Sequence, residues 1–336
     1  MEIVILTSHP GTGCAFYRSV GVLQQLQKLD SNIRIRMSES SHWSAIGGAD
    51  IVFLERPQDE RFVKAIQDCK AMGIPVWSDF DDDLFNLEKD NPGYSFYSKK
   101  STQIAIHYCL ANSDIVTVST LNIWESFSKR ILDHKKILVI PNALNDYFFP
   151  LQKKHNENPI ISWRGSATHR NDLLFYSSAM HEIAEKHPAI EWHFFGKDLW
   201  YITEKTELAK GIENSFVYGE MDLMEYYWKF NSVCPSVHII PLLDNHFNRC
   251  KSNCSWIEAT WAGAASVVPS FPEFKKVSKV SYGARFAFKT LTEELILNKN
   301  YRREVYEESY ETLEKNLLLS NINKTRLQIV QNLRSK

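Results

Sequence analysis

The sequence predicts an α/β protein of two doubly wound domains, and three observations carry that prediction. Short apolar runs alternate with amphipathic stretches along most of the chain, the pattern of parallel strands joined by helical crossovers. Several runs, such as Ile51-Val52-Phe53-Leu54, are apolar without interruption, as expected of strands buried on both faces of a sheet. After a polar stretch at 151–159 the alternation starts afresh. With 336 residues the chain is too long for one ordinary core and comfortable for two.

In order, the first half is read as strands at 2–7, 32–36, 50–55, 75–80, 114–119 and 136–140. Between them lie helical patterns at 15–29, 60–72, 101–112 and 121–132. The polar stretch, poor in apolar residues and ending in Pro159, is the expected linker. Beyond it come strands at 160–163, 191–195, 216–218, 237–241 and 265–268, with helices at 171–186, 223–230 and 255–262. The tail from 291 is helical and strongly charged, with amphipathic helices near 300–319 and 323–334. The expected domains are therefore 1–150, 151–300 and a helical tail at 301–336.

Composition narrows the function. Hydrophobic residues make up 44% and charged residues 24%, as in globular proteins, and the net charge is −1. That balance provides no polyanion-binding footprint for the chain as a whole, although a local basic groove for nucleic acid stays open. No apolar stretch reaches the roughly 18–20 residues of a membrane span. The start, Met1-Glu2-Ile3-Val4-Ile5-Leu6-Thr7, reads as a strand and not as a signal peptide. The six cysteines are scattered, without a C-x-x-C, and Cys250 and Cys254 lack a second ligand pair at zinc-like spacing. Reduced thiols and a cytoplasmic location are expected.

Ligands of open α/β sheets bind beyond the carboxyl ends of the strands, and the unusual residues fall there. The first strand of the second half runs into Arg164-Gly165-Ser166-Ala167-Thr168-His169-Arg170. Guanidinium groups suit phosphate, and Gly165 lets the backbone approach; the alternative is a solvated loop. Next comes the loop from Asp244 through Phe247-Asn248-Arg249-Cys250-Lys251-Ser252 into a helix that stops at Gly263. A helix start beside a lysine is an anion site. Glu258, about one turn inside, can accept ribose hydroxyls; Ser255-x-x-Glu258 is also a capping box, which would make it structural. In the first half, Ser8-His9-Pro10-Gly11-Thr12-Gly13-Cys14 joins the first strand to the first helix, where Tyr17 and Arg18 follow. It is neither a G-x-G-x-x-G nor a Walker loop. Asp79-Phe80-Asp81-Asp82-Asp83 ends another strand; a metal-binding D-x-D is set aside because the cluster lies in the first half and the phosphate-binding residues in the second, which leaves an acceptor-orienting group or base, or a solvated acidic turn. Lys197, in Gly196-Lys197-Asp198, and Tyr218 end two further strands.

These residues, taken together, resemble the large family of retaining, nucleotide-sugar glycosyltransferases of GT-B fold (group 1, family 4-like). In that family an arginine follows the first strand of the C-terminal domain, and a lysine follows a few positions later. Both hold the donor diphosphate. Arg164 matches the first and Arg170 stands near the second. The segment Glu258-Ala259-Thr260-Trp261-Ala262-Gly263 matches the second of two family glutamates and its surroundings, while Cys250 stands at the first. The resemblance implies two Rossmann-like domains facing a cleft, and a last helix that returns to the first domain. It also implies transfer from a nucleoside diphosphate sugar with retention, without a metal or other cofactor. Arg164 and Arg170 would stabilise the leaving diphosphate, and Asp81 would orient the acceptor or act as base. The donor would be held by Gly13, Arg164, Gly165, Arg170, Lys197, Tyr218, Phe247, Asn248, Lys251, Ser252 and Glu258. Tyr17, Arg18, Asp81 and Asp82 would meet the acceptor, either a glycan or a hydroxylated base in DNA as in viral DNA-modifying members. The rival expectation is a non-catalytic nucleotide- or sugar-binding protein, which Cys250 favours.

Overall fold

Uninterrupted apolar strands separated by helices can bury both faces only by pairing in parallel, with crossovers on either side. The computed structural model, which describes residues 1–154, 156–197, 199 and 212–334, shows this pairing twice. His155 and Asp198 lie outside the described residues. Two units result. One holds Met1–Pro150, Cys250–Ser252 and Leu317–Lys336, and the other holds Leu151–Arg249 and Asn253–Asn316.

The first unit begins with β1 (Glu2–Leu6), α1 (Gly13–Arg18), α2 (Val20–Leu23), β2 (Arg34–Ser38), α3 (Trp43–Ile46) and β3 (Ile51–Glu55). It continues with α4 (Glu60–Met72), β4 (Val76–Phe80), α5 (Tyr94–Tyr97), α6 (Lys100–Asn112), β5 (Ile115–Val118), α7 (Leu121–Ser128) and β6 (Ile137–Val139). Among the described residues its strands pair in parallel in the order β2-β1-β3-β4-β5-β6. The helix expected at 15–29 is broken. Ser19 leaves helical geometry at φ −126°, ψ −89°, and its hydroxyl donates to Glu55 Oε2 at 2.7 Å.

The second unit contains β7 (Ile160–Ser166), α8 (Arg170–Lys186), β8 (Glu191–Lys197), β9 (Ser215–Tyr218), α9 (Leu223–Val233), β10 (Val237–Ile239) and α10 (His246–Arg249). Then come α11 (Cys254–Ala262), β11 (Ala265–Pro269), α12 (Pro272–Lys275), β12 (Ser281–Tyr282), α13 (Arg285–Leu297) and α14 (Lys299–Asn316). The strand order is β12-β11-β10-β7-β8-β9, again parallel. The chain ends in α15 (Leu319–Arg334).

The division at 150/151 falls where expected, but the packing of the polar stretch and the division of the tail differ from expectation. The polar stretch is not a free linker: Asn156 Nδ2 donates to Cys234 O at 2.7 Å, Lys154 N to the Tyr306 hydroxyl at 2.9 Å, and Arg302 Nη2 to Glu157 O at 2.7 Å. The helical tail divides at 316/317 and not at 300/301. Val305, Tyr306 and Tyr310 bury one face of α14 in the second core. In contrast, Leu319, Ile329, Val330 and Leu333 of α15 pack with Ile3, Ile5, Phe53 and Trp77 in the first. Asn323 Nδ2 fastens that helix to Val22 O at 2.8 Å. Among the described residues no helix is long and apolar enough to cross a membrane.

At the carboxyl ends of β7 and β8, Gly165 pairs with Gly196. A Cβ on Gly196 would stand 1.7 Å from Gly165 O, on a backbone of φ +146° that L side chains rarely adopt. A Cβ on Gly13 would meet nothing within 4 Å. Gly196→Ala is therefore expected to cost about 3 kcal/mol or more. Gly13→Ala, inside the first turn of α1, should change stability by less than about 1 kcal/mol, and in the stabilising direction. Urea denaturation of the two variants checks both.

Candidate functional site

In the second unit the strand order reverses between β7 and β10, and open α/β sheets bind ligands at such a switch point, beyond the strand ends. Arg164, near the carboxyl end of β7, projects there. Its Nε lies 2.7 Å from Glu258 Oε2, and the Tyr226 hydroxyl of α9 donates to the same oxygen at 2.7 Å. Glu258 is 3% exposed, so one charge-assisted pair and one phenol compensate a carboxylate removed from water. Burial, and then Glu258, raise the Tyr226 hydroxyl well above its ordinary range, which keeps it a donor. The capping box does not form. Asn253 is the cap residue of α11 and makes no side-chain cap bond, while the Ser255 hydroxyl lies 2.8 Å from His238 Nε2.

His238 is the unanticipated member. It interrupts the apolar strand Val237–Ile239, is fully buried, and its Nδ1 lies 2.8 Å from Ser162 Oγ on β7. Burial, and then the nearby Arg164 charge, lower it to about 3, so the imidazole is neutral. Arg170 is exposed as the first residue of α8, where the helix dipole already concentrates positive charge. Behind it Asp172 is buried: its Oδ2 lies 2.9 Å from His169 Nδ1, and its Oδ1 accepts from Leu243 N and Asn248 Nδ2, each at 2.8 Å. Asn248 and Phe247 are accordingly buried in the unit and do not form a donor-facing surface. Gly165 faces the Trp163 indole, which a Cβ would meet at 2.4 Å. Lys197 is exposed and paired with Glu220 at 2.7 Å. Tyr218 stacks on Phe195, with ring centroids 4.6 Å apart.

In the first unit the order reverses between β1 and β3. Here Arg56, directly after β3, sits at φ +44°, which is uncommon outside glycine. Its Nε donates to Asp81 Oδ1 at 2.8 Å, and its Nη2 approaches Cys14 Sγ and Asp82 Oδ2, each at 3.3 Å. Lys251 Nζ donates to Asp82 Oδ1 at 3.0 Å. Asn142 Nδ2 donates to Ser252 Oγ and Thr120 Oγ1 to Cys250 O, at 2.8 and 2.9 Å. Lys251 and Ser252 are thus stapled into the first unit, although the sequence places them with the donor residues.

Asp81 is a weak base, contrary to expectation. Burial pushes its carboxyl up, but the Arg56 charge and hydrogen bond outweigh that and hold it at about 2. Burial, and then Asp81, raise the Cys14 thiol, which is unsuited to act as a thiolate. Tyr17 and Arg18 do not face an acceptor: both are buried. Arg18 donates from Nε and Nη2 to the two oxygens of Asp79, at 2.9 and 2.7 Å, and from Nη1 to Ile140 O and Asn142 Oδ1, at 2.7 and 2.9 Å. The Arg18–Asp79 pair belongs to the interior. Gly13 opens α1 behind the Thr12 cap.

No known family model and no curated protein matches the chain. Solved structures do. Anabaena Alr3699/HepE, crystallised with UDP and glucose, aligns over 100% of both chains with a TM-score of 0.68 at 10% identity. Staphylococcus aureus TarM, crystallised as a point mutant with fondaparinux, α-GlcNAc-glycerol and UDP, aligns with a TM-score of 0.62 at 16% identity. That alignment covers 85% of this chain and 55% of TarM, so the chain spans about half of that relative's length. Neisseria meningitidis UDP-GlcNAc 2-epimerase, bound to UDP-GlcNAc, aligns over 99% of this chain and 100% of its own with a TM-score of 0.57 at 12% identity. The chain has the GT-B fold. At such identities the likeness concerns the fold alone, and the chemistry rests on the residues.

The Asp81 pair sets a pH dependence. Its folded value, about 2, lies below the ordinary 3.8, so its stabilisation is present above pH 3.8 and is lost as pH falls to about 2. Denaturant titrations from pH 6 to pH 2 should show this decline, and Asp81→Asn should remove it while lowering stability near neutrality.

Proposed function

We propose that this chain is a glycosyltransferase that moves a sugar from a nucleoside diphosphate sugar to a saccharide hydroxyl. The observation that carries this reading is the Arg164–Glu258–Tyr226 constellation at the strand reversal of the second unit. A permanently charged guanidinium lies beside a carboxylate that a phenol also orients. Such a constellation can meet both ends of a nucleoside diphosphate, with phosphate on the cation and ribose hydroxyls on the anion. The GT-B neighbours crystallised with UDP support that assignment, and the glucose, fondaparinux and GlcNAc-glycerol in their crystals support a saccharide acceptor.

Arg164 and Arg170, with the N-terminal end of α11, would stabilise the charge that builds on the leaving diphosphate as the anomeric bond breaks. Those cations do the work a divalent metal does elsewhere, so transfer is proposed to be metal-independent, and by family resemblance to retain the anomeric configuration. Asp81 is held ionised by Arg56 and takes no part as a base. A second reading, isomerisation of the bound nucleotide sugar without transfer, is favoured by the likeness to the 2-epimerase.

The test is a panel of UDP, GDP and ADP sugars with and without oligosaccharide acceptors, in the presence of a chelator. UDP release that requires acceptor is expected. Arg164→Ala should lower kcat/KM about 10²-fold, as removal of one charge-stabilising donor typically does. Turnover to an isomeric nucleotide sugar without acceptor would favour the second reading. Failure of every donor to bind, together with no effect of Arg164→Ala or Glu258→Ala, would sink both.

A further inference from the structure

The central strands of the second sheet carry a row of polar side chains where the fold calls for apolar ones. Ser162 of β7, His238 of β10 and Ser266 of β11 are register partners, so their side chains share one face of the sheet, and all three are buried. Ser266 Oγ has no hydrogen-bond partner among the described residues, whereas His238 has one at each ring nitrogen. The imidazole bridges β7 and β10, the two strands that flank the reversal, and reaches the first turn of α11 through Ser255.

The direction of this chain follows from its lengths. A neutral imidazole donates from one nitrogen and accepts at the other. The Ser162 hydroxyl has two candidate acceptors, Val237 O at 3.5 Å and His238 Nδ1 at 2.8 Å, and the shorter contact takes the proton. Nδ1 is then the acceptor, so Nε2 carries the hydrogen and donates to Ser255 Oγ. With its oxygen occupied by an incoming hydrogen bond, the half-buried Ser255 keeps its own proton for another acceptor. It does so on the first turn of a nine-residue helix whose cap residue makes no side-chain bond, where the backbone already favours an anion.

We infer that His238 is a positioning residue for the donor: it fixes the Ser255 hydroxyl as a hydrogen-bond donor to the diphosphate. This rests on the proposed nucleoside diphosphate site. The reversed tautomer would turn Ser255 into an acceptor and set a lone pair against the phosphate oxygens, so the imidazole selects between a productive and a repulsive hydroxyl. Gln at this position keeps an N–H close to Nε2, whereas Leu keeps the volume and removes the donor.

Calorimetry with UDP and with uridine tests the assignment on the full chain, alongside thermal unfolding. His238→Leu and Ser255→Ala should each weaken UDP about 10- to 100-fold, the usual range for one lost hydrogen bond to a charged group, and leave uridine unchanged. The double variant should lose no more than either alone, because both remove the same bond. His238→Gln should stay within about 3-fold of the unaltered chain. Equal losses for UDP and uridine, additive losses in the double variant, or a His238→Gln as weak as His238→Leu overturn the proposal and leave the nucleotide site standing. If His238→Leu does not fold, Ser255→Ala and His238→Gln still decide it. Absence of UDP binding to the unaltered chain overturns the site and this inference together.

Discussion

A parallel sheet covered on both faces by helices has almost no place for an unpaired polar group, and this constraint shapes both units. Strand interiors must be apolar or strictly paired, since a buried polar atom without a partner costs on the order of 1–3 kcal/mol. Chemistry is therefore pushed to the carboxyl ends of the strands, where backbone and side chains again meet solvent. Several of the polar residues kept inside are tied into networks. Arg18 closes on Asp79, Thr117 Oγ1 donates to Asp79 as well, and Trp77 Nε1 donates to Thr117 at 2.8 Å. Removing one member of the Arg18–Asp79 pair would strand a buried charge, at a cost of about 3–5 kcal/mol.

The two units meet this constraint at different points. In the first, the reversal between β1 and β3 is occupied by a closed cluster of charges: Arg56 answers Asp81 and Asp82, and Asp82 answers Lys251. The unusual backbone of Arg56 is tolerated because three acceptors hold its guanidinium. In the second, the reversal between β7 and β10 carries Arg164 and Glu258, drawn from separate elements and joined with Tyr226. One reversal is closed by a cluster of four charged side chains, while the other carries a buried carboxylate paired with one guanidinium and one phenol.

Much of this is legible in the sequence, for a physical reason. A continuous apolar strand announces itself locally, so runs such as Ile51–Glu55 can be read almost to the residue. The helix Glu60–Met72 is likewise marked by its Asp59 cap and Gly73 stop. Elements of two to four residues, such as Ser281–Tyr282 and Pro272–Lys275, are shorter than the periods that reveal them. At the site, Arg164 and Glu258 stand out because strand ends and helix starts are local features. Their pairing does not, and neither does Tyr226, because these depend on contacts between elements far apart in sequence. Arg18 misleads for the same reason: an arginine in a first helical turn looks exposed until Asp79, sixty-one positions away, is brought against it. His238 does leave a signal, a lone polar residue within an apolar strand, and Arg56 leaves another as a charge directly after one.

The placement of α15 has a consequence for how the molecule is made. Its apolar face, with Leu319, Ile329, Val330 and Leu333, completes a core whose other half includes Ile3, Ile5 and Phe53. During synthesis, those early side chains emerge long before the helix that covers them. The second unit, drawn almost wholly from 151–316, can close its core first. The usual order, in which the N-terminal domain matures before its successor, cannot be completed here until residues 319–333 have emerged to cover that flank of the first sheet.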